Sequence, residues 1–132
     1  MDAQFEDVRR LAEERFPEQF AAGPDNFFSL ALEGLPLEFF RIPGEAEVTV
    51  RARLLSLDEI RQPEDFARSA LSGNFFWEGT RGATLAVSAD NALYLTERRE
   101  VGDLATQEGL DACIEDFTLT ARDWRARSAL YA

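Results

Sequence analysis

The chain has no histidine, no lysine and a single cysteine, Cys113. Histidine is the commonest general base and metal ligand near neutral pH. Its absence excludes Ser-His-Asp and Cys-His triads and every metal site that needs imidazole. With lysine missing, all 14 basic residues are arginine, whose planar guanidinium favours bidentate contact with carboxylates. A lone cysteine cannot close an internal disulfide, which fits a reducing compartment. No apolar run approaches the ~20 residues of a membrane span. The opening residues, MDAQFEDVRR, carry acids where a signal peptide has an apolar stretch. The expected location is the cytoplasm.

What is present is acid and apolar surface. Hydrophobic residues make up 45% of the 132, enough for a real core, and the length suits a single domain over residues 1–132. The net charge is −11. Such a surface repels phosphate backbones and anionic lipid, so neither nucleic acid nor a membrane is an expected partner. It also keeps a protein in solution, a role that requires no partner.

Periodicity gives the element order. Residues 3–16 place Phe5, Val8, Leu11, Ala12 and Phe16 on one helical face, with Asp2 as N-cap and Pro17 as terminator. Residues 17–25 read as a turn-rich connection. Three strands follow, Phe27–Leu32, Leu35–Ile42 and Glu47–Leu55, joined by Glu33-Gly34 and Pro43-Gly44-Glu45; such short links force hairpins. Pro63 opens a short helix with Glu64 and Asp65 at its positive end. Its apolar stripe is Phe66, Ala67, Ala70 and Leu71, and Gly73 suits a C-cap. A helix this short is unstable unless it packs. Two more strands, Thr84–Val87 and Ala92–Thr96, meet across Ser88–Asn91. A last helix runs from Thr106 to about Tyr131 with Leu110, Cys113, Ile114, Phe117, Ala121 and Trp124 as its stripe. The order α-β-β-β-α-β-β-α predicts an α+β fold: a twisted, mostly antiparallel sheet with helices on one face.

The strand faces single out a candidate site. Val48, Val50, Ala52 and Leu54 alternate with Glu47, Thr49, Arg51 and Arg53. Adjacent strand residues point to opposite faces, so the doublets Phe27-Phe28 and Phe39-Phe40 cannot both be core. If Phe28, Leu30, Leu37 and Phe39 face inward, then Phe27, Phe40 and Ile42 form an apolar patch on the outer face beside Arg51 and Arg53. Apolar grooves and sheets capture extended segments, and the two arginines can anchor carboxylates. The competing readings are Phe27 or Phe40 buried under the first helix or the preceding loop, and a plainly solvated arginine face.

Other features carry less chemistry. The pairs Glu13-Glu14, Asp58-Glu59, Glu64-Asp65 and Glu115-Asp116 are sequence neighbours on helix or loop surfaces. Acid–base work needs two carboxylates converging in a cleft with separated pKa values. Gly79-Thr80-Arg81-Gly82 lacks the lysine and spacing of a phosphate loop and reads as a turn entering a strand. Cys113 lies on an apolar stripe, as a small core residue does. None of these features singles out a catalytic residue or a metal site.

From Phe66 onward the chain resembles a known family. The quoted features are Ala70-Leu71-Ser72-Gly73-Asn74, then Gly79-Thr80-Arg81-Gly82-Ala83-Thr84-Leu85-Ala86, Asp90-Asn91 at a strand turn, Leu93-Tyr94-Leu95, and Phe117, Ala121 and Trp124-Arg125 in the last helix. Over residues 66–127 it is similar to the class I type III secretion chaperones of the CesT/Tir-chaperone family; before that, only element order and composition agree. The run Phe75-Phe76-Trp77 is a heavier aromatic cluster than the family pattern. The resemblance implies a homodimer built around the second helix and the following strand. Phe66, Ala67, Ala70, Leu71 and Trp77 are its candidate seam, because small residues allow close approach and aromatics favour interfaces; the alternative is that they cap the monomer's own core. It further implies a partner, the N-terminal segment of a secreted effector held extended, and no enzymatic activity and no cofactor. Two other classes stay open from the residues alone: an acidic inhibitor or immunity-type protein that blocks a basic partner, and an enzyme using only carboxylates and arginine.

Overall fold

The computed structural model describes residues 3–131; Asp2, the expected N-cap, lies outside them. Helix α1 spans Ala3–Arg15. Strands β1 (Phe20–Ala22), β2 (Phe27–Leu32), β3 (Leu35–Arg41) and β4 (Glu47–Ser56) follow. Then come α2 (Pro63–Gly73), β5 (Thr84–Val87), β6 (Ala92–Glu100), α3 (Val101–Leu104) and α4 (Gln107–Arg127). The strands form one six-stranded sheet in the order β1-β2-β3-β4-β6-β5. Two compact units divide the chain, Met1–Arg51 with Arg98–Glu115, and Ala52–Glu97 with Asp116–Ala132.

In the first unit the core is aromatic. Phe28 stacks on Phe39 with ring centroids 4.7 Å apart, on Phe20 at 5.6 Å, and meets Phe5 of α1 at 5.7 Å. Phe5, Val8 and Ala12 are buried, so α1 covers the inner face of these strands as its periodicity requires. Each such large side chain stabilises the fold by about 1.5–3 kcal/mol. The β2–β3 hairpin closes through Glu33 and Gly34, both at positive φ (52° and 78°), the backbone of a two-residue turn matched to strand twist. At the start of α4, the Thr106 hydroxyl accepts from the Gly109 N–H at 3.1 Å, so Thr106 is the cap that its sequence position predicts.

Three elements differ from the sequence reading. Residues 20–22 form an edge strand, pairing antiparallel as Phe20↔Leu30, Ala21↔Ser29 and Ala22↔Phe28. Three residues flanked by Pro17, Gly23 and Pro24 carry too little pattern to announce a strand; the open edge of β2 recruits them. Strand β6 runs four residues further than expected, to Glu100, and the helical turn α3 follows directly, with the Val101 N–H donating to Ala46 O at 2.8 Å. Arg41, at the end of β3, is buried on the core side, its Nε donating to Glu45 O at 2.7 Å.

In the second unit the organising side chain is Trp124. It is fully buried, and its indole Nε1–H donates to Gly79 O at 2.8 Å. Phe66 of α2 packs on it at 6.4 Å and on Tyr131 at 5.2 Å, and the Arg127 guanidinium lies 4.4 Å from the indole centroid. A Cβ on Gly73 would stand 2.4 Å from Trp124 Cζ2. The glycine at the end of α2 is therefore set by this close approach. Its expected role as a C-cap is not used: Gly73 is the last residue of α2 and is not at positive φ, and Asn74 takes the cap position in right-handed helical geometry. Asn74 instead extends the strand pairing: its Nδ2 donates to Leu85 O at 2.9 Å and its Oδ1 accepts from the Leu85 N–H at 2.7 Å.

Candidate partner-binding surfaces

The first surface lies in the first unit, on the outer face of β2 and β3. Phe27 and Phe40 are direct cross-strand partners. Both are half-buried, whereas Phe28 and Phe39 beside them have no exposed area. The side-chain alternation of a strand dictates this split. Phe27 is held from two sides. Its ring lies on the Gly23 backbone, where a Cβ would come within 2.3 Å, and its carbonyl accepts from Arg9 Nη2 at 3.1 Å. Arg9 lies off the apolar stripe of α1 and straps that helix to the start of β2. Ile42, one residue past β3, is 57% exposed.

Arg51 roofs this patch. Its Cζ lies 5.1 Å from the Phe40 centroid, and its Nε donates to Glu38 Oε1 at 2.7 Å. Glu38 and Arg51 are cross-strand partners on β3 and β4, so the ion pair follows from register. The carboxylate expected from a partner thus already has an intramolecular counterpart. The pair is solvent-accessible, and such pairs contribute roughly 0.2–1 kcal/mol, so an incoming charge can displace it.

Arg53 is exposed and belongs to the second unit. There its charge bears on Asp90. The Ser88 hydroxyl, which donates to the Asp90 carboxylate, holds that group below the usual carboxylate range, and Arg53 acts in the same direction.

The second surface also lies in the second unit, at α2 and the turn after it. Phe66 and Ala70 are interior side chains, Ala67 is half-buried, and Leu71 is 70% exposed. Of the five candidate seam residues, Leu71 and Trp77 therefore hold most of the exposed area. Phe75, Phe76 and Trp77 form a kinked turn with 69%, 73% and 54% of their surface exposed. Phe76 and Trp77 adopt left-handed backbone, φ 51° and 58°, an uncommon conformation for aromatic residues. Beside the turn is an open hollow of about 410 Å3 lined by Arg68, Leu71, Ser72 and Phe75. A second hollow, about 340 Å3, is lined by Leu57, Pro63, Glu64, Ala67, Val87 and Asn91.

Asp58 accepts from Asn91 Nδ2 at 2.8 Å, and Glu59 closes a capping box with Ser56. Among the described residues no group of three or more His, Cys, Asp or Glu is arranged to hold a metal ion, and no helix is long and apolar enough to cross a membrane. Cys113 is buried on the α4 stripe.

The α+β fold, with its six-stranded antiparallel sheet, matches solved structures of type III secretion chaperones. The fold matches a chain of the ExsC–ExsE complex with a TM-score of 0.76 and 17% identity over 96% of each chain. It matches a chain of the ExoT–SpcS complex from Pseudomonas aeruginosa with a TM-score of 0.63 and 12% identity, over 93% of this chain and 98% of that one. It also matches the structure of the Yersinia pestis type III secretion chaperone SycH in complex with a stable fragment of YscM2, with a TM-score of 0.56 and 16% identity over 89% and 99% of the two chains. At these identities the likeness shows the fold. No curated protein sequence matches the chain. Residues 16–125 match the model of the Tir chaperone protein (CesT) family, and the chain belongs to that family.

Proposed function

We propose that this protein is a cytoplasmic type III secretion chaperone that binds the N-terminal segment of a cognate effector in extended form. It acts as a homodimer and keeps that segment soluble and competent for secretion. The observation that carries the reading is the Phe27–Phe40 cross-strand pair, left half-buried on the outer face of the sheet with Ile42 exposed beside it, in a chain of this family. An extended segment laid across that face covers its own apolar side chains against Phe27, Phe40 and Ile42 without folding into a globule. Arg51 and Glu38 supply one cation and one anion at the edge of the patch. Arg53 is a separate candidate anchor, since it already acts on Asp90. The mechanism is coverage of apolar surface; it uses no cofactor and no catalytic step.

The seam of the homodimer is proposed at α2 and the following turn, where Leu71 and Trp77 are exposed over Phe66 and Ala70. Co-expression with the product of the adjacent open reading frame tests the function. The expected result is a soluble partner that co-elutes with the chaperone in size exclusion. A partner that stays insoluble and forms no complex would overturn the reading.

The net charge of −11 supports a second reading, an inhibitor that blocks a basic protein through electrostatic complementarity. Salt separates the two: binding through charge falls steeply between low and high ionic strength, whereas an apolar wrap persists.

A further inference from the structure

The turn Phe75–Trp77 is the least economical feature of the second unit. Three large apolar rings face solvent, and two of them sit in left-handed backbone that costs about 1–3 kcal/mol for each residue. Glycine would take those angles without strain. The turn is not a loose end. Asn74, just before it, is fixed by two hydrogen bonds to Leu85. Gly79, just after it, accepts from Trp124, donates its N–H to Gly73 O at 3.1 Å, and is followed by buried Thr80. Phe75 and Phe76 brace each other edge-on at 4.5 Å. The rings are held outward by a pinned backbone and stabilise little in the isolated chain.

We propose that this turn clamps two copies of the chain together by reciprocal insertion. Phe76 and Trp77 of each copy enter the hollow lined by Arg68, Leu71, Ser72 and Phe75 on the other. The proposal rests on the dimer reading above and supplies the residues that make the contact. A two-fold contact requires one surface to carry both a projection and a place that receives it, and here the projecting rings adjoin a shallow, open hollow. Arg68 is the one charged residue lining the hollow, and a guanidinium seats well against the face of a tryptophan. The areas are consistent. Taking about 200 Å2 for an aromatic side chain, the exposed parts of the three rings amount to roughly 400 Å2 per copy, half of the ~800 Å2 that a standard interface covers on each partner. Leu71 and Val87, both exposed on the same unit, are available for more.

The test uses the full chain. Trp124 is buried, so acrylamide-accessible tryptophan emission reports on Trp77. Molar mass and quenching are followed from micromolar to nanomolar concentration. The expected result is a dimer at high concentration in which Trp77 is shielded, and a rise in quenching that tracks dissociation. The double variant Phe76→Gly/Trp77→Gly is expected to keep or raise the melting temperature, because glycine relieves the backbone, while the dimer dissociation constant rises roughly 30-fold or more, as for central interface aromatics. Ser72→Trp, which fills the hollow, is expected to weaken the dimer comparably without touching the turn. A dimer that leaves Trp77 fully quenchable and is indifferent to these variants overturns the clamp and leaves the dimer reading standing. A wild-type chain that is monomeric at every concentration overturns both. Shielding of Trp77 only on adding another protein assigns the turn to a different partner and also overturns the clamp.

Discussion

Replacing Gly73 by alanine tests how the second unit is assembled. An added Cβ would lie 2.4 Å from Trp124 Cζ2 and 2.8 Å from Cη2, distances that real Cβ contacts do not show. Something must move, and the indole is poorly placed to do so. It is fully buried, bonded to Gly79 O at 2.8 Å and packed against Phe66. Overpacking a dense core costs typically 1–3 kcal/mol, and weakening the indole hydrogen bond adds about 0.5–1.5 kcal/mol. The gain in helix propensity from glycine to alanine is at most about 1 kcal/mol, and less at a helix end. The clash therefore wins, and Gly73→Ala is expected to destabilise by about 1–3 kcal/mol in urea unfolding, with an unchanged slope. The six-membered ring is the source of the clash. In a Trp124→Phe background, which lacks Cζ2 and Cη2, the same glycine substitution is expected to cost at least 1 kcal/mol less, a coupling that a double-mutant cycle reads directly. Additive effects, or a Gly73→Ala variant as stable as wild type, would refute the reasoning.

Other perturbations probe neighbouring features. Asn74→Ala removes both hydrogen bonds to Leu85 and is expected to cost about 1–3 kcal/mol, with faster amide exchange at Leu85. Asp90 is expected to titrate below the ordinary carboxylate range by NMR, with Ser88→Ala moving it back toward that range, because the Ser88 hydroxyl is the largest cause of the shift. The sign follows: a carboxyl depressed in the folded state supports folding above its unfolded pKa and loses that support as pH falls through the folded one. Ile42→Glu, at an exposed position, is expected to leave the melting temperature within about 2 °C while weakening partner binding.

The sequence announced what two periodicities can carry. The meander from Phe27 to Ser56 is legible because the core set Phe28, Leu30, Leu37, Phe39, Val48, Val50, Ala52 and Leu54 alternates, and all eight are buried. The stripe of α4 is equally plain, and Cys113 sits on it as a small core residue. Strand β1 was not legible, because its pairing comes from the neighbour's open edge and not from its own three residues. Gly73 was assigned to its terminus because a glycine ending a helix has two physical causes, and only tertiary contact with Trp124, 51 positions away, selects one. The stripe of α2 mixed interior and exposed residues because it was drawn too wide: Ala70 lies about 40° around the helix from Phe66 and is buried with it, whereas Leu71 lies about 140° away and is exposed. The patch of Phe27, Phe40 and Ile42 could be located from the aromatic doublets. That Arg51 would be held over Phe40 by Glu38 required the strand register, and that Arg9 would strap Phe27 required the path of residues 23–27.

Photo-cross-linking from the outer sheet face tests the proposed mode of binding most directly. Benzoylphenylalanine is placed at Phe40, and in a parallel sample at Leu119, an exposed residue of α4. Each is irradiated in cells that also make the product of the adjacent open reading frame. The expected result is a cross-link from position 40 to a short stretch near the partner's N-terminus, lost when Ile42→Glu is added, and little or none from position 119. A partner that is bound and solubilised but cross-links from position 119 and not from position 40 would contradict the assignment of this face.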